Sequence, residues 1–230
     1  MISHKHKSVP LLLALLVFLT PVIIFSKLAG EVIEKDPILL DTTILKSIHE
    51  HASPFLNHLF LFITTLGSFK VIAPVTIALV LWFYYKNQRR SSLIIAFSVL
   101  GAATANFILK LLFTRSRPAL WETLVKEPSY SFPSGHAMVS CALILSIIFI
   151  VWQTKYRFAA LVAGSLLIVL IGLSRLYLGV HYPTDVIAGW SASIVWVIIV
   201  VTIAKRFSDR LHITDEDIQT DNVKQSQTKS

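Results

Sequence analysis

Charge is scarce in this chain of 230 residues: Asp, Glu, Lys and Arg make up 15%, against 54% hydrophobic residues, and the mean hydropathy is +0.68. Such a composition cannot hide its apolar surface from water by folding alone, which excludes an ordinary soluble domain and leaves a bilayer as the solvent. Cysteine is nearly missing. The one residue, Cys141, excludes an internal disulfide framework and a cysteine-based metal cluster, and its place in an apolar run marks it as packing. Carboxylates in the loops opposite the basic ones are also few. Glu31, Glu34, Asp36, Asp41, Glu50, Glu122 and Glu127 are scattered rather than clustered, so no acidic set suggests a pair of metal ions. Neither an internal repeat nor a second domain is visible.

What is present is a series of long apolar runs. Crossing about 30 Å of hydrocarbon takes about 17 to 25 residues, and six charge-poor candidates run over about 9–29, 59–85, 91–113, 136–153, 158–177 and 184–204. The second is interrupted by Gly67-Ser68-Phe69-Lys70, and reads either as one span or as a short interfacial piece followed by a span from near Val71. The expected fold is therefore all-α, a polytopic membrane protein with six transmembrane helices. Ile38, Leu39, Ile44, Leu45 and Ile48 recur at near-helical spacing beside Asp41, Lys46 and His49, which predicts a short interfacial helix between spans one and two.

The net charge of +8 lies mostly in short loops. Lys5 and Lys7, then Lys86, Arg89 and Arg90, then Lys155 and Arg157, then Lys205, Arg206 and Arg210 fall on one side under this assignment, which the positive-inside rule makes the cytoplasm. Both termini are then cytoplasmic. The six-span domain is expected over residues 1–207, with 208–230 a polar, aperiodic and disordered cytoplasmic tail. Span one has an alternative reading as a secretory signal, with Leu28-Ala29-Gly30 offering small residues for cleavage, but its apolar run from Val9 to Phe25 exceeds the roughly 7–15 residues of a signal core.

Three short motifs fall at span ends on the opposite, extracytoplasmic side. Lys110 and Arg117 are seven apart, two turns on one face of a continuing helix that Pro118 would end. Pro133-Ser134-Gly135-His136 opens span four, with Ser134 as N-cap and Gly135 allowing close backbone approach, an arrangement that favours an anion at the helix start. Ser174-Arg175 precedes His181-Tyr182-Pro183-Thr184-Asp185, in which Asp185 lies one turn from His181 and can set its tautomer. Taken singly, the cations read as snorkelling anchors, Ser134 as an ordinary cap and the His–Asp pair as structural. Cations at membrane depth are costly, and their recurrence with two histidines at one surface points to a phosphate held by positive charge and attacked by histidine. Arg115 and Lys126 lie in the same loop and are candidates for head-group contact, whereas His4, His6, His49, His51, His58 and His212 lack such partners and read as surface residues.

In order and spacing, Lys110 to Pro118, Pro133 to His136 and Ser174 to Asp185 resemble the three-part motif of the type-2 phosphatidate phosphatase superfamily, with no departure at a defining position. The resemblance implies that His181 attacks phosphorus to form a phosphohistidine, oriented by Asp185. It implies His136 as the acid that protonates the leaving oxygen, and Lys110, Arg117, Ser134, Gly135 and Arg175 as the phosphate cradle. No cofactor and no metal are implied, and the partners are the bilayer and a lipid phosphate rather than nucleic acid. Phosphatidylglycerophosphate is the favoured substrate and undecaprenyl pyrophosphate the alternative. A transporter or non-catalytic lipid-binding protein is the reading from another class, although transporters usually place their sites near the midplane with interrupted helices.

Overall fold

A computed structural model describes the backbone of residues 8–34 and 39–227 and the side chains of residues 13–34 and 40–206. Lys5, Lys7, His4 and His6, the start of the expected interfacial pattern at Ile38, and the side chains of Arg210 and His212 lie outside them. Eight helices account for the regular structure of the described residues, with no strand among them: α1 (Ser8–Glu34), α2 (Leu39–Glu50), α3 (Pro54–Leu66), α4 (Phe69–Tyr85), α5 (Arg89–Phe113), α6 (Gly135–Val151), α7 (Arg157–Tyr177) and α8 (Pro183–Gln227).

Among the described residues, five stretches are long and apolar enough to cross a membrane: Leu13–Glu34, Pro54–Tyr85, Arg89–Phe113, Arg157–Tyr177 and Pro183–Arg206. Their outer faces expose Leu13, Ile23, Phe97, Leu100 and Val162, as a helix does when lipid replaces water around it. The sixth apolar helix, α6, has 17 residues, roughly 25 Å at 1.5 Å per residue. It is short because Ser134 caps it only where the motif turn ends, and its environment differs from that of the others. Met138, Cys141, Ala142, Leu143 and Ile148 are all buried, so α6 is the apolar axis of the bundle, packed by α5, α7 and α8. Cys141 is buried there as a packing residue.

The Pro54–Tyr85 stretch is two helices, parted at the interruption seen in the sequence. Ser53 caps α3 by accepting from Leu56 N–H at 3.3 Å, Pro54 follows at the first helical position, and the chain breaks at Gly67-Ser68 before α4. α1 runs unbroken through Leu28-Ala29-Gly30 and buries Ala29 and Val32 against Phe132 and Ala188, as a structural span does. At the other end α8 continues to Gln227 rather than stopping near 207. Residues 208–227 contain neither proline nor glycine, so nothing in their backbone chemistry ends the helix near 207.

Candidate active site

The end of α5, the start of α6 and the junction of α7 with α8 meet at one end of the bundle. A cavity of about 300 Å³ opens there, lined on its polar side by Lys110, Arg117, Glu127, Gly135, His136 and His181. Phe69, Ile72, Ala103, Phe107 and Val139 contribute apolar surface to the same cavity. The two motif histidines thus face a single space.

His181 is 1% exposed, in the short link between α7 and α8. Its Nδ1 lies 3.3 Å from Asp185 Oδ2, and its Nε2 lies 3.1 Å from Arg117 Nη1. A guanidinium only donates, so the Nε2 atom in this contact carries a lone pair, and the ring proton is on Nδ1, facing Asp185. Burial, followed by the positive charges of Arg175, Arg117 and Lys110 and the neighbouring His136, holds the His181 imidazole well below its ordinary pKa. The His181–Asp185 contact is therefore a hydrogen bond from a neutral ring rather than an ion pair. Nε2 is left unprotonated in a residue that lines the cavity, with its lone pair on Arg117 Nη1; nucleophilic attack requires that lone pair to be free of the guanidinium.

Lys110 and Arg117 converge, but not on one helix. α5 ends at Phe113, where Thr114 turns into the left-handed region at φ 45° and its N–H bonds back to Lys110, so Arg117 lies in the following loop and Pro118 does not terminate the helix. The loop folds back instead. Arg117 donates to the carbonyls of Ser129 at 2.7 Å and Val180 at 2.6 Å, and Lys110 donates to the Tyr130 carbonyl and to Ser129 Oγ.

The Pro-Ser-Gly-His turn is built from both sides. Ser134 is fully buried; its Oγ faces Ala137 N–H at 3.5 Å as the α6 cap, and its own N–H donates to the Asp185 carbonyl at 3.0 Å. The Ser134 side chain is spent on this cap and does not line the cavity. Gly135 does, and a β-carbon there would lie 2.9 Å from Asn106 Oδ1, so only glycine fits. Arg175 is 1% exposed and reaches the site indirectly: one Nη donates to Thr64 Oγ1 at 2.6 Å, the other pairs with Glu127, and its Nε has no partner. Burial alone would raise the Glu127 pKa, but Arg175 beside it holds the carboxyl below the usual range.

Several residues at the site escape the motif reading. Asn106 donates to the Pro133 carbonyl at 3.0 Å and lines the cavity; it precedes Lys110 by one turn, a signal available in the spacing. Glu127, Ser129 and Thr64 carry no such local signal. Arg115 is a partly buried strut bonded to Asp185 and Asp41. Lys126 is exposed, and His49, although exposed, stacks on Trp121 at 4.0 Å. Trp121 in turn lies over Gly179, whose φ of +69° and close indole exclude a side chain, and so the motif loop is pinned next to His181.

An all-helical membrane bundle with two histidines, an orienting carboxylate and a cationic nest around one cavity defines a phosphate-handling membrane enzyme. The family model described as "PAP2 superfamily" matches residues 91–209, and the chain belongs to that superfamily; it is an integral-membrane lipid phosphatase of the PAP2 type. It is 34% identical over 158 residues to phosphatidylglycerophosphatase B of Bacillus subtilis, an alignment covering 66% of this chain and 76% of that one. With an undecaprenyl-diphosphatase of Sulfolobus acidocaldarius it shares 30% identity over 181 residues, covering 76% and 82% of the two chains. The crystal structure of a transmembrane PAP2-type phosphatidylglycerolphosphate phosphatase from Bacillus subtilis superposes with a TM-score of 0.76 at 26% identity, over 83% of this chain and 97% of that one.

Proposed function

We propose that this protein hydrolyses a lipid phosphate at the extracytoplasmic membrane surface through a phosphohistidine on His181. The observation that carries the reading is the single cavity lined by Lys110, Arg117 and both imidazoles, which suit a phosphate, together with apolar side chains, which suit its acyl or prenyl chain. His181 Nε2 attacks phosphorus and the P–O bond to the lipid breaks. His136 gives the departing oxygen its proton, and water then hydrolyses the phosphohistidine to inorganic phosphate. Lys110, Arg117, Arg175 and the Gly135 N–H end of α6 offset the charge that develops on the phosphoryl oxygens. Phosphate takes over the donors now held by Ser129, Tyr130 and Glu127.

The membrane reading has six spans, with α3 and α4 together forming the second, α6 the fourth, and α2 lying in the interface. Lys86, Arg89 and Arg90, with Lys155, Arg157, Lys205 and Arg206, then place both termini and the segment from 208 in the cytoplasm. For substrate, similarity to phosphatidylglycerophosphatase B favours phosphatidylglycerophosphate; the undecaprenyl-diphosphatase relative supports the second reading, cleavage of undecaprenyl pyrophosphate to the monophosphate. Phosphate release measured side by side from the two lipids by the purified protein decides between them.

Two outcomes follow for the purified enzyme. His181 must be neutral and His136 protonated, so the rate against pH is bell-shaped, with its acid limb below the ordinary histidine pKa because His181 is held neutral to lower pH. A profile flat from acid to alkali removes the two-histidine assignment. Because lysine and arginine supply the positive charge, EDTA is expected to leave the rate within about twofold of its starting value; a loss restored by a divalent cation contradicts the proposed cradle.

A further inference from the structure

α2 reaches the catalytic end of the molecule through Asp41, a side chain that the reaction above does not use. Asp41 is 1% exposed and its carboxylate is fully engaged. Its Oδ1 accepts from Thr184 N–H at 3.1 Å, while Oδ2 accepts from Thr184 Oγ1 at 2.6 Å and from Arg115 Nη2 at 2.8 Å. Arg115 continues with Nη1 to Asp185 Oδ1 at 2.6 Å, and its guanidinium lies 4.1 Å from the Tyr182 ring centre. The second Asp185 oxygen, Oδ2, takes Tyr182 N–H at 2.9 Å and faces His181 Nδ1 at 3.3 Å. An unbroken polar chain therefore runs from α2 to the reacting imidazole, and its first member lies outside the matched segment, which begins at residue 91.

We propose that Asp41 is a positioning residue for phosphoryl transfer to His181, acting through Arg115 on Asp185; this rests on the reading of His181 as the nucleophile. The reason is geometric. Two carboxylates at opposite ends hold the guanidinium end-on, so that only Nη1 reaches Asp185. Arginine prefers to grip a carboxylate with two parallel bonds. Released from Asp41, Nη2 pivots toward Asp185 Oδ2 and competes with His181 for it. The ring then loses the acceptor that fixes its tautomer and stabilises the charge it gains on phosphorylation.

The charged groups around His181 are Asp185 on α8, Lys110 on α5, Arg175 on α7, His136 on α6 and Arg117 in the loop; the titratable groups facing Asp41 are Arg115 and, beyond it, the Tyr182 phenol. Removing the Asp41 charge leaves Arg115 less compensated and weakens the Asp185 bond to the ring. Both effects make His181 harder to protonate. In the full chain in lipid nanodiscs, with phosphatidylglycerophosphate and with a soluble aryl phosphate as probes, Asp41→Asn is expected to lower kcat about 10–100-fold with little change in KM. The acid limb of the kcat profile moves to lower pH, and Asp41→Glu recovers part of the rate. A wild-type kcat in Asp41→Asn overturns the proposal, as does a reduced kcat with an unmoved acid limb, which marks a purely structural carboxylate. Should Asp41→Asn not accumulate, Asp41→Glu keeps the charge but displaces it, and is expected to lower kcat at unchanged KM; an unaltered kcat there is equally fatal. His181→Ala run beside them separates the two readings, because full turnover in that variant removes the nucleophile itself, whatever Asp41 does.

Discussion

Replacing His181 by alanine is expected to lower phosphate release by about 10⁴-fold or more, since deleting a nucleophile leaves only what binding and the cationic nest contribute. The fold should survive. Asp185 keeps Arg115 at 2.6 Å and the Tyr182 N–H at 2.9 Å after the ring is gone, so no buried carboxylate is left without a partner. The vacated Nε2 position borders the cavity rather than the α6 core. The measurement is release of labelled phosphate from phosphatidylglycerophosphate, with membrane abundance and thermal unfolding recorded on the same preparation. Brief exposure to labelled substrate followed by denaturation is expected to leave acid-labile, base-stable label on the wild-type protein and none on the variant. Turnover above about a hundredth of wild type, or label retained by the alanine variant, places the covalent step elsewhere.

His136→Ala has the second large effect, and its size depends on the leaving group. A positioned acid is worth about 10²–10⁴-fold when the departing oxygen is a poor leaving group, and the glycerol or prenyl oxygen of a lipid phosphate is one. An aryl phosphate whose phenol leaves readily without a proton needs no such help in the first step. The first-turnover burst of phenol is then expected to stay within about tenfold of wild type, while lipid turnover falls by the full factor. Equal losses on both substrates contradict the acid role and point to His136 as a binding contact. Gly67 lies close behind this residue, with its β-carbon site 3.6 Å from His136 Cβ, so truncation leaves space beside a backbone turn rather than a hole in the bundle.

How much of this could be read from the chain depends on the range of each interaction. The all-α architecture, the buried role of Cys141 and the meeting of the three motifs follow from patterns within one span or one turn, together with the alternation of sides that crossing a membrane imposes. The break at Gly67-Ser68 was visible for the same reason. The path of Arg117 was not, because it depends on Thr114 adopting a left-handed conformation that its side chain does not announce. Asp41 looked like the water-facing side of an amphipathic helix. Its partners, Arg115 and Thr184, are 74 and 143 residues away, and no periodicity on α2 can indicate that they cover it. Glu127 is legible as a carboxylate in a polar loop, but its pairing with Arg175 spans 48 residues and is set by how that loop folds back.

The carbonyls that Lys110 and Arg117 grip also bear on what happens after the chemistry. Under the proposed cradle, with Ser129, Tyr130 and Val180 already supplying oxygen atoms to the two cations, an arriving phosphoryl group exchanges one set of acceptors for another, and its net gain is the difference between them. The reverse exchange accompanies departure of the freed inorganic ion, whose vacated donors are reclaimed at once by the chain. A nest of bare cations would retain its product; one with backbone understudies lets it go.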